Sequence, residues 1–251
     1  MSATAGRPAV YAVACAGDPL DRGRHSGIPF ALLGALEELG LRTVPVRTAP
    51  SEPVVSAVAR LRPGTRNDAY LSPSVARMRA VASGLKLVRR SAVAGCIQWG
   101  AGEFLPPARV PHVLLHDQTL LQASAYPWSF FEGVRPATLG AAIARDREMH
   151  RRVRAVCAFT HWAARSAVED YGVPAGRVHV VGLGRNYDVP PPAHRDWRTP
   201  RFLFVGFDWE RKGGPLLLRA FARVRARVPD ATLTVVGGHP PLDAPGVTGL
   251  G

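Results

Sequence analysis

RFLFVGFDWERKGGPLLLRAFARVRARVPDATLTVVGG, residues 201–238, is the stretch whose reading decides the fold. It reads as a strand over 201–206, a loop, a helix over about 214–228 and a second strand over 231–238. The helix carries Leu217, Phe221, Val224 and Val228 on one stripe, which asks to be buried. Strand, helix and strand in that order make the βαβ unit of a parallel sheet. The loop before the helix holds Lys212, Gly213 and Gly214, and Pro215 suits a first helical turn. N–H groups at a helix start and the positive end of its dipole favour a phosphate, to which Lys212 adds a full charge. In an open parallel sheet, ligands bind at the carboxyl ends of strands, where this loop falls. An ordinary strand–turn–helix connection with a solvated lysine fits the same local physics equally well.

Upstream, short apolar runs alternate with amphipathic stretches, the pattern of an α/β protein. Strands are expected at 9–15, 41–47, 91–98, 112–116, 154–159 and 177–182, and helices at about 28–39, 75–90, 137–152 and 161–171. The 75–90 helix is expected to bury Val75, Met78, Ala82 and Leu85. A Pro/Ser-rich segment covers 49–74. Three consecutive prolines within 182–200 exclude a helix or central strand there, so a semi-rigid connector is expected. The expected division is a first domain over 1–184, a linker over 185–199 and a second domain over 200–251.

The chain has 251 residues, 47% hydrophobic and 20% charged, enough to bury a sizeable core. No window approaches the roughly 20 apolar residues of a spanning helix, and the first residues carry no signal-peptide pattern. Cys15, Cys96 and Cys157 are odd in number and lie in apolar runs, with neither disulfide nor metal-ligand spacing, which suggests a cytoplasmic protein. The net charge of +13 favours anionic partners. It is densest over Arg60–Arg90, where eight cations face Asp68 alone: either a solvated helical face or a patch for an acidic membrane surface or acceptor. Only Tyr70 interleaves with those cations, so nucleic acid is the weaker partner.

Residues 201–238 resemble the donor-domain signature of the large retaining glycosyltransferase family numbered four. The matching positions are Val205-Gly206, Lys212-Gly213, Leu217-Leu218, Ala220-Phe221, Pro229-Asp230-Ala231 and Val236-Gly237-Gly238. Residues 157–186, with Thr160 before a helix and Tyr171-Gly172-Val173 after it, resemble the end of that family's acceptor domain. The resemblance implies a GT-B fold: two facing Rossmann-like domains with parallel sheets, the second incomplete in this chain. It implies transfer of a hexose from a UDP- or GDP-linked donor to a glycan or lipid-linked acceptor, with retention of configuration and no metal or other cofactor. The nucleotide sugar is then a substrate, and the enzyme would be cytoplasmic, with peripheral contact at the inner membrane face.

By the same resemblance, Lys212 would serve catalysis by holding the leaving diphosphate, with Arg211 and Gly213 beside it. The family has Arg directly after the strand-ending Gly, where this chain has Phe207, and Arg211 is the substitute on hand. Gly27, in the first loop after Ser26, matches a donor-phosphate loop, and Gly184 and Asn186 open the crossover toward the donor. His116, which with Asp117 ends the fourth strand, matches a catalytic position near sugar and acceptor, and Glu103 is a candidate acceptor contact. The family's later Glu-x7-Glu element has no counterpart, since no glutamate follows Glu210. A non-catalytic relative that binds nucleotide or glycan without turnover is therefore the alternative.

Overall fold

A computed structural model describes residues 9–48, 52–61, 64–88, 93–100, 110–126, 128–186 and 200–251. The chain divides into two compact units, Met1–Tyr187 and Asp188–Gly251. The expected linker, 185–199, lies outside the described residues from 187 onward.

In the first unit the strands are β1 (Val10–Cys15), β2 (Arg42–Arg47), β3 (Val93–Trp99), β4 (His112–His116), β5 (Ala155–Ala158) and β6 (Val178–Val180). They form one parallel sheet in the order β2-β1-β3-β4-β5-β6. The order reverses between β1 and β3, so their carboxyl ends diverge into a crevice, the place where such sheets take ligands. The helices are α1 (Ile28–Glu38), α2 (Glu52–Leu61), α3 (Arg66–Leu71), α4 (Pro73–Val88), α5 (Leu120–Ser124), α6 (Pro136–Arg152) and α7 (His161–Glu169).

Two of these helices occupy the Pro/Ser-rich segment. A capping pattern marks α3: the Thr65 hydroxyl accepts from the Asp68 N–H at 3.2 Å. Asp68 is buried and bound by Arg135, whose guanidinium and backbone N–H both donate to it. That partner holds its carboxyl down, at about 2. The pair ties α3 to the start of α6. In α4 the buried stripe matches the one read from the sequence only in part: Val75 is buried, Ala82 is exposed, and the Leu85 side chain lies outside the described residues. Val75, Ala76, Arg79 and Ser83 face inward, whereas Met78 and Val81 are exposed. A buried arginine shifts the helix by about one position relative to its hydropathy pattern.

The core behind β4 and β5 packs Leu114, Met149, Val156 and Tyr171. Within it Asp146 has no exposure. Its carboxylate accepts from the Leu120 N–H at 2.9 Å and the Tyr171 hydroxyl at 2.7 Å, and lies 3.4 Å from His150 Nδ1. The Tyr171 hydroxyl in turn accepts from the Leu121 N–H.

The second unit holds β7 (Arg201–Val205), α8 (Gly214–Arg225), β8 (Thr232–Val236) and β9 (Val247–Leu250), its strands parallel in the order β7-β8-β9. Phe221 of α8 packs with Trp209, Ala231, Leu233 and Val235. The 201–238 reading stands as strand, helix and strand, but α8 ends at Arg225 and Val228, read on the buried stripe, is exposed. β9, short and glycine-containing, is an addition to that reading.

Tyr171→Phe removes a donor to Asp146 and an acceptor for Leu121 in one step. Leaving buried groups unsatisfied costs about 1–3 kcal/mol. Urea unfolding is expected to show a loss of that size, and an unchanged midpoint would mean the network is dispensable.

Candidate functional site: a cavity at the carboxyl edge of the first sheet

A cavity of about 340 Å³ opens where β1 and β3 part. Ala16 and His25 follow β1, Gln98, Trp99 and Gly100 end β3, and Asp117 and Gln118 follow β4, so the lining is the carboxyl edge itself. Tyr70 of α3, Arg79 of α4 and the aromatic run Trp128, Phe130 and Phe131 complete the wall.

The loop after β1 is strained. His25 and Ser26 have φ of 50° and 55°, and Gly27 continues at 74°. The left-handed region is open to glycine but costs other residues roughly 1–2 kcal/mol each. Two bonds hold the strained pair: His25 Nε2 lies 2.8 Å from the Ala16 carbonyl, and Asn186 Nδ2 donates to the Ser26 carbonyl at 2.6 Å. The first bond places a proton on Nε2, since a carbonyl can only accept. The ring also meets Trp99 edge-on at 6.2 Å, and Trp99 stacks on Phe159 at 5.2 Å.

Asp117 is exposed at the cavity, and the protein around it raises its pKa by desolvation, against the lowering effect of His25. His116, one residue earlier, is fully buried and is not part of the lining. Side chains alternate along a strand, so His112, Leu114 and His116 share the face that meets α6. His116 packs edge-on against His150 at 5.0 Å, and its ring nitrogens find only a weak interaction with the Gln118 backbone. Burial, with His150 adding to it, depresses its pKa to about 4. It backs the site wall as a neutral ring.

The residues read from the sequence are thus distributed. Gly27 and Asn186 come together: a Cβ on Gly27 would lie 3.0 Å from the Arg22 carbonyl and 3.5 Å from Asn186 Nδ2. Gly184 is exposed near the end of the first unit. Glu103 lies outside the described residues. His25, the aromatic run and Arg79 were not read as site residues. The signal for His25 was its place in the first loop, two residues before the glycine that was read.

In the second unit, Lys212 is exposed at the carboxyl end of β7, and Gly213 caps α8 at φ 79°. The helix start offers a phosphate fewer N–H groups than expected. Those of Lys212, Gly213 and Gly214 bond to Asp208, Glu210 and Trp209 carbonyls, and Pro215 has none. Gly214 is required by packing, since a Cβ there would run into the Trp209 ring. Arg211 binds Asp208 through Nε at 3.0 Å. The helix dipole and the Lys212 ammonium are left to attract an anion.

Of the Arg60–Arg90 cations, Arg60, Arg66 and Arg77 are exposed among the described residues, and Arg62 lies outside them. Arg79 is buried, its Nε donating to the Thr48 carbonyl and its guanidinium over the Tyr70 ring, and Lys86 donates to the Arg47 carbonyl. Arg89 and Arg90 lie outside the described residues. Among the described residues, no helix is long and apolar enough to cross a membrane, and no three His, Cys, Asp or Glu side chains gather as a metal set. Burial raises the thiol pKa of all three cysteines.

No family model matches the chain, and no curated protein matches it. Among solved structures it is similar to a UDP co-structure of MnaA from S. aureus, at 12% identity and a TM-score of 0.46 over 94% of this chain and 64% of that one. It is similar to the glycosyltransferase SnogD from Streptomyces nogalater, at 15% identity and 0.46 over 97% and 72%. It is also similar to UDP-N-acetylglucosamine 2-epimerase from Rickettsia bellii, at 10% identity and 0.48 over 98% and 69%. The chain thus spans just under two thirds of the MnaA chain, and likenesses at these identities concern the fold alone.

Burial of neutral His116 makes stability depend on pH. Between the ordinary value of 6.5 and about 4, the unfolded chain takes up a proton that the folded one refuses. Stability is therefore full above pH 6.5 and falls as pH drops toward 4. With about 1.4 kcal/mol for each pH unit between those two values, the His116 share is at most about 3 kcal/mol. His116→Leu is expected to flatten the curve of unfolding free energy over that window. A variant with the wild-type slope would remove His116 as its source.

Proposed function

We propose that the chain is the acceptor-binding unit, with part of a donor-binding unit, of a glycosyltransferase that moves a hexose from a UDP- or GDP-linked sugar to a hydroxyl-bearing acceptor. The observation that carries this reading is the cavity at the β1/β3 switch point, with His25 and Asp117 on its wall. The acceptor hydroxyl lies in that cavity. Its oxygen forms the new bond to the anomeric carbon as the bond to the diphosphate breaks and the hydroxyl proton leaves. Lys212 stabilises the charge that develops on the departing diphosphate. Gly213 shapes the loop that carries Lys212, while Arg211 acts through Asp208. Asn186 holds the His25–Gly27 loop, and Gly184 opens the crossover toward the donor. His116 sets the take-off of Asp117 from behind.

The destination of the proton separates two stereochemical outcomes. Retention, which the resemblance implies, has the leaving phosphate receive it during front-face attack. Inversion needs a base on the acceptor side, and here a specific observation favours it: His25, held through Nε2 on the Ala16 carbonyl, lines the cavity together with Asp117. A relative that binds without turnover is the remaining alternative, motivated by the α8 start, where the N–H groups of Lys212, Gly213 and Gly214 are already bonded within the loop.

Calorimetric titration of UDP and GDP tests the donor side. Lys212→Ala is expected to weaken the better nucleotide about 10- to 100-fold, the range for a charged hydrogen-bonding contact. An unchanged affinity would take Lys212 out of the site. His25→Ala is expected to leave nucleotide affinity intact and to lower kcat at least about 100-fold, as loss of a general base does. Proton NMR of the first product anomer decides between retention and inversion. Binding without any transfer would favour the non-catalytic reading.

A further inference from the structure

One side of the first-unit cavity is made of rings. Trp128, Phe130 and Phe131 form a contiguous cluster with centroids 5.2–5.5 Å apart, and Tyr70 meets Phe130 at 6.2 Å. Trp99 ends β3 on another wall. Several polar groups of the lining are bound by the protein itself, while Asp117 and Gln118 also line the cavity. Gln98 bonds to His112 and to the Gly100 carbonyl, and the Thr48 carbonyl accepts from Arg79. His25 spends Nε2 on Ala16.

A glycan site has the opposite balance, because each sugar hydroxyl withdrawn from water must find a partner on the wall. The volume points the same way. About 340 Å³ is at the small end of the roughly 300–1,000 Å³ of small-molecule pockets, matching a compact body and not an extended chain. Flat rings packing edge-to-face or offset are the partners such walls favour.

Resting on the reading that this cavity holds the hydroxyl acceptor, we propose that the acceptor is a compact aromatic alcohol of two or three fused rings, not a glycan. Its ring body lies against Trp128 and Phe131, and its hydroxyl points to His25 and Asp117.

The test is titration of 7-hydroxycoumarin into the 251-residue chain, followed by fluorescence anisotropy, with no nucleotide present. Saturable binding is expected, along with failure of maltotriose in large excess to displace the dye. Trp128→Ala and Phe131→Ala are each expected to weaken binding about tenfold, with folding checked by circular dichroism. No saturable binding by the wild-type chain, or displacement by maltotriose, would overturn the proposal whether or not the variants fold. So would wild-type affinity in both folded variants. Separate titrations of UDP and GDP keep the two readings apart. Coumarin binding without nucleotide binding sinks the transferase reading and supports the ring site, while the reverse sinks the ring site alone.

Discussion

The carboxylate of Asp146 has no access to water, and much of the first unit is arranged to satisfy it. An ionised carboxylate in a protein interior is tolerable only when donors surround it. Two come from different elements, the Leu120 N–H at the start of α5 and the Tyr171 hydroxyl after α7, while His150, one turn along α6, binds the Asp146 carbonyl through Nδ1 and lies 3.4 Å from the carboxylate. Those demands place the site wall. Leu120 and Ala123 of α5 line the cavity, and His150 is the surface on which His116 packs. With His116 fixed inward, the pleat turns Asp117 away from the core. One buried charge thereby reaches the cavity through one ring contact and a strand.

That relay also explains why His116 and Asp117 could not be told apart from the sequence. Both stand at the end of an apolar run, on an edge that open parallel sheets use for ligands. A strand alternates its faces with a period of two, so the assignment turns on which face α6 covers. The packing of α6 depends on Asp146 and His150, distant in the chain. The 201–238 segment was easier because its information is local: a stripe of four apolar residues and glycines at loop positions. Gly213 does adopt the left-handed conformation. Gly214, however, answers to Trp209 and not to a ligand, a contact that spacing alone does not reveal.

Arg79 shows the same limit in a helix. Hydropathy assigns an arginine to the surface, and the apolar residues of α4 do make a plausible stripe without it. A carbonyl at the end of β2 and the face of Tyr70 accept its guanidinium instead. Neither partner is visible until α3 and α4 are packed, and α3 itself depends on the Asp68–Arg135 pair to α6. The aromatic run after α5 was passed over for a related reason. Rings in a loop read as ordinary core until the sheet edge beneath them is known to be open.

Strain in the loop after β1 supports a role for His25 more directly than its identity does. Two successive non-glycine residues in the left-handed region are held there by a carbonyl of β1's own exit and by an amide from the end of the unit. Such conformations persist only where the surroundings over-determine them, and they concentrate at functional sites. Were the ring needed only for packing against Trp99, an extended loop could supply it without that cost. The left-handed turn does something else. It brings Nε2 back onto the Ala16 carbonyl while the ring stays edge-on to Trp99. Asp117, whose carboxyl pKa is raised by desolvation, lines the same cavity. The strain is best understood as what fixes the ring's orientation at the cavity wall.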